Sequence, residues 1–242
     1  MLSPTMLQTS IHSTILRAYD DRYQDRLTAG RLLADQLRPH HPDRALVLAI
    51  PSGGIAVGGE LARSLRLGLE VIVSREFYVP GSPPIVAGAV CEGGGLCFNA
   101  AALRLPGVTM EALWYQARLM WREIVTLVAA YRGDRALPLL PRRTVILTDD
   151  GIGSGLAQLA AIQVLRREHV HQCIVATPGG SAVPIHVVTH WADTLVSLDL
   201  GEHNPHAPNS WNVPIGDDEA ASMLCRCRQR LAERGTGACF DE

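Results

Sequence analysis

Apolar residues recur along this chain in two alternating rhythms. The segment YQDRLTAGRLLADQL (Tyr23 to Leu37) spaces Leu27, Leu32, Leu33 and Leu37 as one face of an amphipathic helix. RALVLAI (Arg44 to Ile50) is a short unbroken apolar run, the pattern of a strand buried on both faces. It breaks at PSGG and resumes as a helix over Ile55 to Leu67, followed by a strand LEVIVSR (Leu69 to Arg75). The texture then turns Pro- and Gly-rich, with IVAGAV and GLCFNA flanking a glycine turn as a hairpin. The longest helical pattern runs from a Thr109 cap to a Gly133 stop. Strand TVILTDD, a helix over Gly155 to Glu168, strand Gln172 to Pro178, a helix over Ala182 to Trp191 and strand Thr194 to Leu200 follow. A polar loop leads to a last helix near Asp217 to Arg234.

Strands alternating with helices predict an α/β fold: a parallel sheet flanked by helices, carrying a small Pro/Gly-rich hood at about residues 77–108. The expected organisation is an N-terminal extension (1–22), the α/β domain (23–200) and a C-terminal loop and helix (201–242). In such sheets ligands sit at the carboxyl ends of the strands. PSGG after Ile50, Arg75-Glu76-Phe77 after Ser74 and DDGIGSG after Thr148 should therefore meet at one edge.

Composition narrows the chemistry. The chain has 242 residues, 47% hydrophobic and 19% charged, with a net charge of -2, so a basic nucleic-acid surface is not expected. No apolar run approaches the roughly 18 residues of a membrane span. The N-terminal stretch lacks a basic region followed by an apolar block, so no secretory signal and a cytoplasmic location are expected. All 22 basic residues are arginine. Without lysine there is no Schiff base and no P-loop lysine, so phosphate binding must rest on arginine, backbone N–H groups and metal. Cys225 and Cys227 with Cys239, and His186, His190, His203 and His206, are loose groupings without zinc-site spacing; free thiols and surface histidines are expected. Trp114, Tyr115 and Trp121 on the long helix should pack the hood or a homodimer contact, and Trp211 should anchor its loop.

The sharpest signal is VILTDDGIGSGLA. Gly151, Gly153 and Gly155 let the backbone curl and expose N–H groups, Ser154 offers a hydroxyl, and the following helix presents its positive end. That cradles a phosphate. Asp149 and Asp150 stand just upstream, and carboxylates accept sugar hydroxyls or ligate magnesium. A ligand with a phosphate on one side and a vicinal diol on the other satisfies both halves, and ribose 5-phosphate is such a ligand. A dinucleotide loop fails on glycine spacing. The first motif of S-adenosylmethionine-dependent methyltransferases fits Asp149, Gly151, Gly153 and Gly155. It stands too late in the chain, however, and no acid ends the next strand, so it is kept as a distant alternative.

This stretch resembles the ribose-phosphate signature of type I phosphoribosyltransferases. DRLTAGRLLADQL, LVLAIPSGGIAVGGELARSL, GAVCEGGG and YRGDRALPLLPRRTVILTDDG are similar, in order, to a bacterial group of predicted phosphoribosyltransferases, from about Asp25 to Leu200. The resemblance implies that Asp149 and Asp150 contact the ribose hydroxyls of phosphoribosyl pyrophosphate, directly or through Mg2+. It implies that Gly151, Gly153, Ser154, Gly155, Leu156 and Ala157 bind the 5-phosphate. It also implies that the loop Pro51, Ser52, Gly53 and Gly54 takes pyrophosphate, with Arg75 beside it. The partner would be a small ribose phosphate or nucleotide, and the activity transfer of phosphoribosyl to or from an acceptor. A non-catalytic ribose-phosphate binder on the same fold is the alternative.

The departures fall on the pyrophosphate half. Ser52 stands where the family has Arg, Arg75-Glu76 where it has Arg-Lys, and Ala157 where it has Thr. A unit charge about 4 Å from another is worth about 4 kcal/mol at an effective dielectric of 20, so these exchanges bear directly on turnover. Arg63, Arg66 or an arginine of the Arg118–Arg122 region is the candidate to compensate.

Overall fold

A computed structural model describes residues 25–40, 45–79, 84–199, 211 and 214–233. The N-terminal extension, His203, His206 and Cys239 lie outside the described residues. The strands are β1 (Leu46–Ala49), β2 (Gly68–Val71), β3 (Ser74–Val79), β4 (Ile85–Cys91), β5 (Gly95–Phe98), β6 (Thr144–Thr148), β7 (Gln172–Gly179) and β8 (Thr194–Asp199). The helices are α1 (Arg26–Leu37), α2 (Gly54–Leu65), α3 (Met110–Arg132), α4 (Leu156–Arg167), α5 (Ala182–Thr189) and α6 (Asp217–Glu233).

Five strands form one parallel sheet in the order β2-β1-β6-β7-β8. Their near-continuous apolar sequences reflect burial on both faces. Val47, Ala49, Ile146, Ile174 and Val196 point into a core shared with α1, α2, α3 and α6. Leu46, Leu48, Val145, Leu147 and Val175 point into a second core with α4 and α5. Strand order departs from chain order between β1 and β6. That switch point is where a crevice opens in sheets of this kind, and the PSGG and DDG loops leave it from adjacent strands.

The expected second strand is in fact two. LEVIVSR breaks at Ile72 and Val73, and Arg75 lies inside β3, in a separate antiparallel sheet β3-β4-β5, rather than at the end of a core strand. The hairpin of β4 and β5 forms where the glycine turn predicted it. This smaller sheet spans 74–98 and overlaps the stretch expected to form a hood (about 77–108), and a buried ion pair marks its junction with the core. Glu92, at the turn between β4 and β5, accepts the Val73 amide at 2.6 Å and pairs with Arg132, whose Nη1 also donates to the Val71 carbonyl at 3.0 Å. On the hood's outer side Trp114 packs edge-on against Phe98 at 5.3 Å, as its helical position predicted.

α3 begins at a Thr109 side-chain cap and ends at Gly133, as read from sequence. Among the described residues no helix is long and apolar enough to cross a membrane.

Candidate functional site

β6 ends at Thr148, so the next two side chains emerge at the carboxyl edge of the sheet. Asp149 Oδ1 accepts the Asp150 amide at 2.8 Å, and Oδ2 accepts Gln158 Nε2 at 2.7 Å. Burial pushes the Asp149 carboxyl well above the usual carboxylate range, and the charges of Asp150 and Glu76 push the same way against the hydrogen bond from the Asp150 amide. Asp150 is held differently. Arg26 Nε donates to its Oδ2 at 2.8 Å, and Arg26 in turn lies over the Trp211 ring, 4.8 Å from its centroid. Trp211 Nε1 donates to the Asp150 backbone carbonyl at 2.8 Å. The expected loop-anchoring role of Trp211 is therefore a hold on the acidic pair itself.

The loop beyond curls as its glycines require. Gly155 caps α4 with a φ of 79°, a left-handed conformation in which a Cβ would also lie 3.1 Å from Val188 Cγ2. The Ile152 amide pairs with the Gly179 carbonyl at 2.9 Å, which pins the loop to β7. The Ser154 hydroxyl accepts the Leu156 amide at 3.1 Å. Among the described residues, the amides of Gly153, Gly155 and Ala157 have no hydrogen-bond partner. They stand at the mouth of a twelve-residue helix, the arrangement that attracts an anion.

PSGG lies against this loop. Asp150 Oδ2 comes so close to Gly53 that a Cβ there would be 1.9 Å away, and a Cβ on Gly54 would be 3.1 Å from Asp149 Cα. The peptide joining Pro51 to Ser52 is cis. Arg75 reaches the same loop, its Nη1 donating to the Pro51 carbonyl at 2.5 Å and its Nη2 bonding to Asp217 at the start of α6. All three strand-end segments named from the sequence thus converge.

Glu76, expected at the pyrophosphate half, is set on the phosphate loop instead: its Oε1 accepts the Ser154 hydroxyl, and its Oε2 accepts Tyr78 OH at 3.2 Å. Two residues escaped the sequence reading altogether. Arg26 and Gln158 hold the acidic pair, Arg26 from a helix whose closeness to β6 only the fold creates. The expected compensating arginines are placed elsewhere. Arg63 is held by Glu60 at 2.8 Å, Arg66 is the exposed C-cap of α2, and Arg118 lines an apolar groove beside Trp114 and Trp121. The His186 and His190 rings meet edge-on at 4.5 Å, and among the described residues no three His, Cys, Asp or Glu side chains gather as ligands.

Comparison with known proteins follows the same lines. The phosphoribosyl transferase domain matches residues 23–185. Two Mycobacterium tuberculosis proteins, one from each of two strains and each named as a candidate phosphoribosyl transferase, are 29% identical over 215 residues, 88% of this chain. This chain spans about half the length of those relatives, 48%. A crystal structure of a Thermus thermophilus protein is 29% identical and superposes with a TM-score of 0.68, covering 85% of this chain and 98% of its own.

Proposed function

Given that this chain belongs to the phosphoribosyl transferase domain family, we propose that it binds a ribose 5-phosphate group, as phosphoribosyl pyrophosphate or a nucleotide, and transfers phosphoribosyl to or from an acceptor with Mg2+. The observation that carries this reading is the pairing of opposites at one strand end. A carboxylate pair stands immediately before a helix mouth with unbonded amides, as a ligand with hydroxyls at one end and phosphate at the other requires. The methyltransferase alternative falls with the family match.

Each residue then has a task. The amides of Gly153, Gly155 and Ala157, with the Ser154 hydroxyl, take the 5-phosphate at the N-terminus of α4. Asp149 and Asp150 accept the ribose hydroxyls, and Arg26 and Gln158 keep the two carboxylates in place. As the bond from ribose C1 to the leaving pyrophosphate breaks, positive charge grows on the sugar ring and negative charge on the leaving group. The carboxylates face the first, and Arg75 on the Pro51 carbonyl faces the second.

The donors suit magnesium. They are all oxygen, and Asp150 Oδ1 accepts no hydrogen bond among the described residues. The Asp149 charge, disfavoured by burial, is one a divalent cation would offset. Magnesium held by one or two carboxylates keeps room for substrate phosphates. Asp149 and Asp150 would hold it, and it would supply charge neutralisation to the leaving pyrophosphate.

A second reading, a non-catalytic ribose-phosphate binder, is favoured by one specific observation. The side chain set on the Ser154 hydroxyl is an anion, Glu76, and Ser52 supplies no cation to the opposite loop. Calorimetric titration separates the two. Transfer requires phosphoribosyl pyrophosphate to bind more tightly than ribose 5-phosphate, with magnesium strengthening it, and pyrophosphate to be released with an acceptor from a panel of bases. Equal affinities and no release leave the binder. Absence of binding by either ligand refutes both.

A further inference from the structure

Arg75 is the cation that the family resemblance places at the leaving-group end, and both arms of its guanidinium are engaged. One arm donates to Pro51 in the loop itself. The other is bonded to Asp217 Oδ1, a residue 142 positions further along the chain and the first of α6. Tyr131 of α3 donates to the same oxygen at 2.6 Å, so two donors from two other elements converge on this carboxylate. The pair lies at the mouth of the crevice, with Asp217 retaining 41% of its side-chain exposure and Arg75 19%. An oxyanion receiving a guanidinium arm and a phenolic hydroxyl has the surroundings of a bound phosphoryl oxygen.

We propose that Asp217 is a specificity-determining residue: from α6 it occupies the outer arm of Arg75 as an internal stand-in for a diphosphate. A ligand carrying pyrophosphate must displace it, whereas a monophosphate seated at the α4 cradle need not. The inference rests on the assignment of residues 51–54 as the pyrophosphate loop.

Two features suit Asp217 to this task. It lies in the first turn of α6, where the helix dipole favours a carboxylate whether or not Arg75 is attached. Arg75 keeps its anchor on Pro51 and Asp217 keeps its bond from Tyr131 when the outer arm is released, so displacement breaks a single ion pair and no other contact of either residue. The contact therefore sets a threshold for diphosphates without closing the site.

The test is calorimetry on the full chain with inorganic pyrophosphate and with ribose 5-phosphate as separate probes, each with magnesium. Asp217→Asn keeps an acceptor for Tyr131 and removes the charge; Asp218→Asn, one residue on and exposed, removes a charge from the same turn. The expected result is pyrophosphate binding tightened about tenfold in Asp217→Asn, since an anion a few ångströms from the ligand is lost. Ribose 5-phosphate binding should stay within about twofold, and Asp218→Asn should match the wild type for both probes. Asp217→Glu, restoring the charge, should return pyrophosphate affinity to the wild-type value. Tyr131→Phe, which removes a hydroxyl that holds the carboxylate and also neighbours Arg75, should give an intermediate gain for pyrophosphate and none for ribose 5-phosphate, and serves if Asp217→Asn does not fold. Pyrophosphate affinity unchanged or weakened in the Asn variant overturns the inference, as does an equal gain for both probes. If every variant binds ribose 5-phosphate and none binds pyrophosphate, the loop assignment itself fails and the inference fails with it.

Discussion

Glu76 offers the clearest test of whether the α4 mouth is a phosphate cradle. Its Oε1 accepts the Ser154 hydroxyl, and that hydroxyl has one proton to give. A phosphate entering the cradle competes for the same proton and meets a carboxylate next to it. Two unit charges about 5 Å apart at an effective dielectric near 20 repel by about 3 kcal/mol. Glu76 is half-buried, so solvent and salt screen part of this and leave roughly 1.5–2 kcal/mol. Glu76→Gln removes the charge and turns an acceptor into a group that can donate to the phosphate. Ribose 5-phosphate should then bind about 10- to 30-fold more tightly by calorimetry. Ribose without phosphate should show no change. If the variant binds ribose 5-phosphate no better than the wild type, Glu76 does not face the phosphate site and the cradle assignment fails.

Further outcomes follow from the same geometry. Gly53→Ala places a Cβ 1.9 Å from the present position of Asp150 Oδ2, so the carboxylate must shift; ribose 5-phosphate affinity should fall about tenfold or more while the melting temperature stays within a few degrees. Asp149 has its pKa raised on folding, so the native state binds more protons than the unfolded one. Its ionisation therefore costs stability increasingly as pH rises from the unfolded value of about 3.8 toward the folded one. Asp149→Asn should melt at least about 3 °C above the wild type at pH 7.5, with the gap closing near pH 3.5, and should lose ribose-phosphate binding. A gap of the same size at both values would refute the assignment. Arg132→Met strands the buried Glu92 carboxylate and should cost about 3–5 kcal/mol in urea unfolding; adding Glu92→Met should recover the part due to the stranded charge but not the part due to the Val73 amide and Val71 carbonyl, which lose their partners. A loss below about 1 kcal/mol would show the pair to be solvated.

The sequence carried most of the architecture because buried parallel strands and amphipathic helices write themselves as apolar runs and helical spacing. VILT, LVLA and the Thr109-capped helix were legible for that reason. The break at Ile72–Val73 was not, since the apolar run Val71-Ile72-Val73 passes straight through it and the change of sheet involves no glycine or proline. The acidic pair and the glycine loop were legible because local backbone chemistry dictates them. Arg26, Trp211 and Asp217 were hidden, because each reaches the site through a contact 61 to 142 residues away, set by how α1 and α6 dock. The inward turn of Glu76 follows from strand alternation in β3, which becomes readable only once β3 is known to begin at Ser74.

The ion pair at the junction of hood and core bears on any attempt to re-engineer the protein. Glu92 belongs to the hairpin and Arg132 to the end of α3, yet together they clasp the backbone on both sides of the Ile72–Val73 break. A chimaera that grafts a relative's hairpin over residues 74–98 would exchange one member of the clasp and keep the other. Transplants that carry the whole stretch from Val71 through Arg132 keep it intact and exchange the smaller sheet without loosening the scaffold.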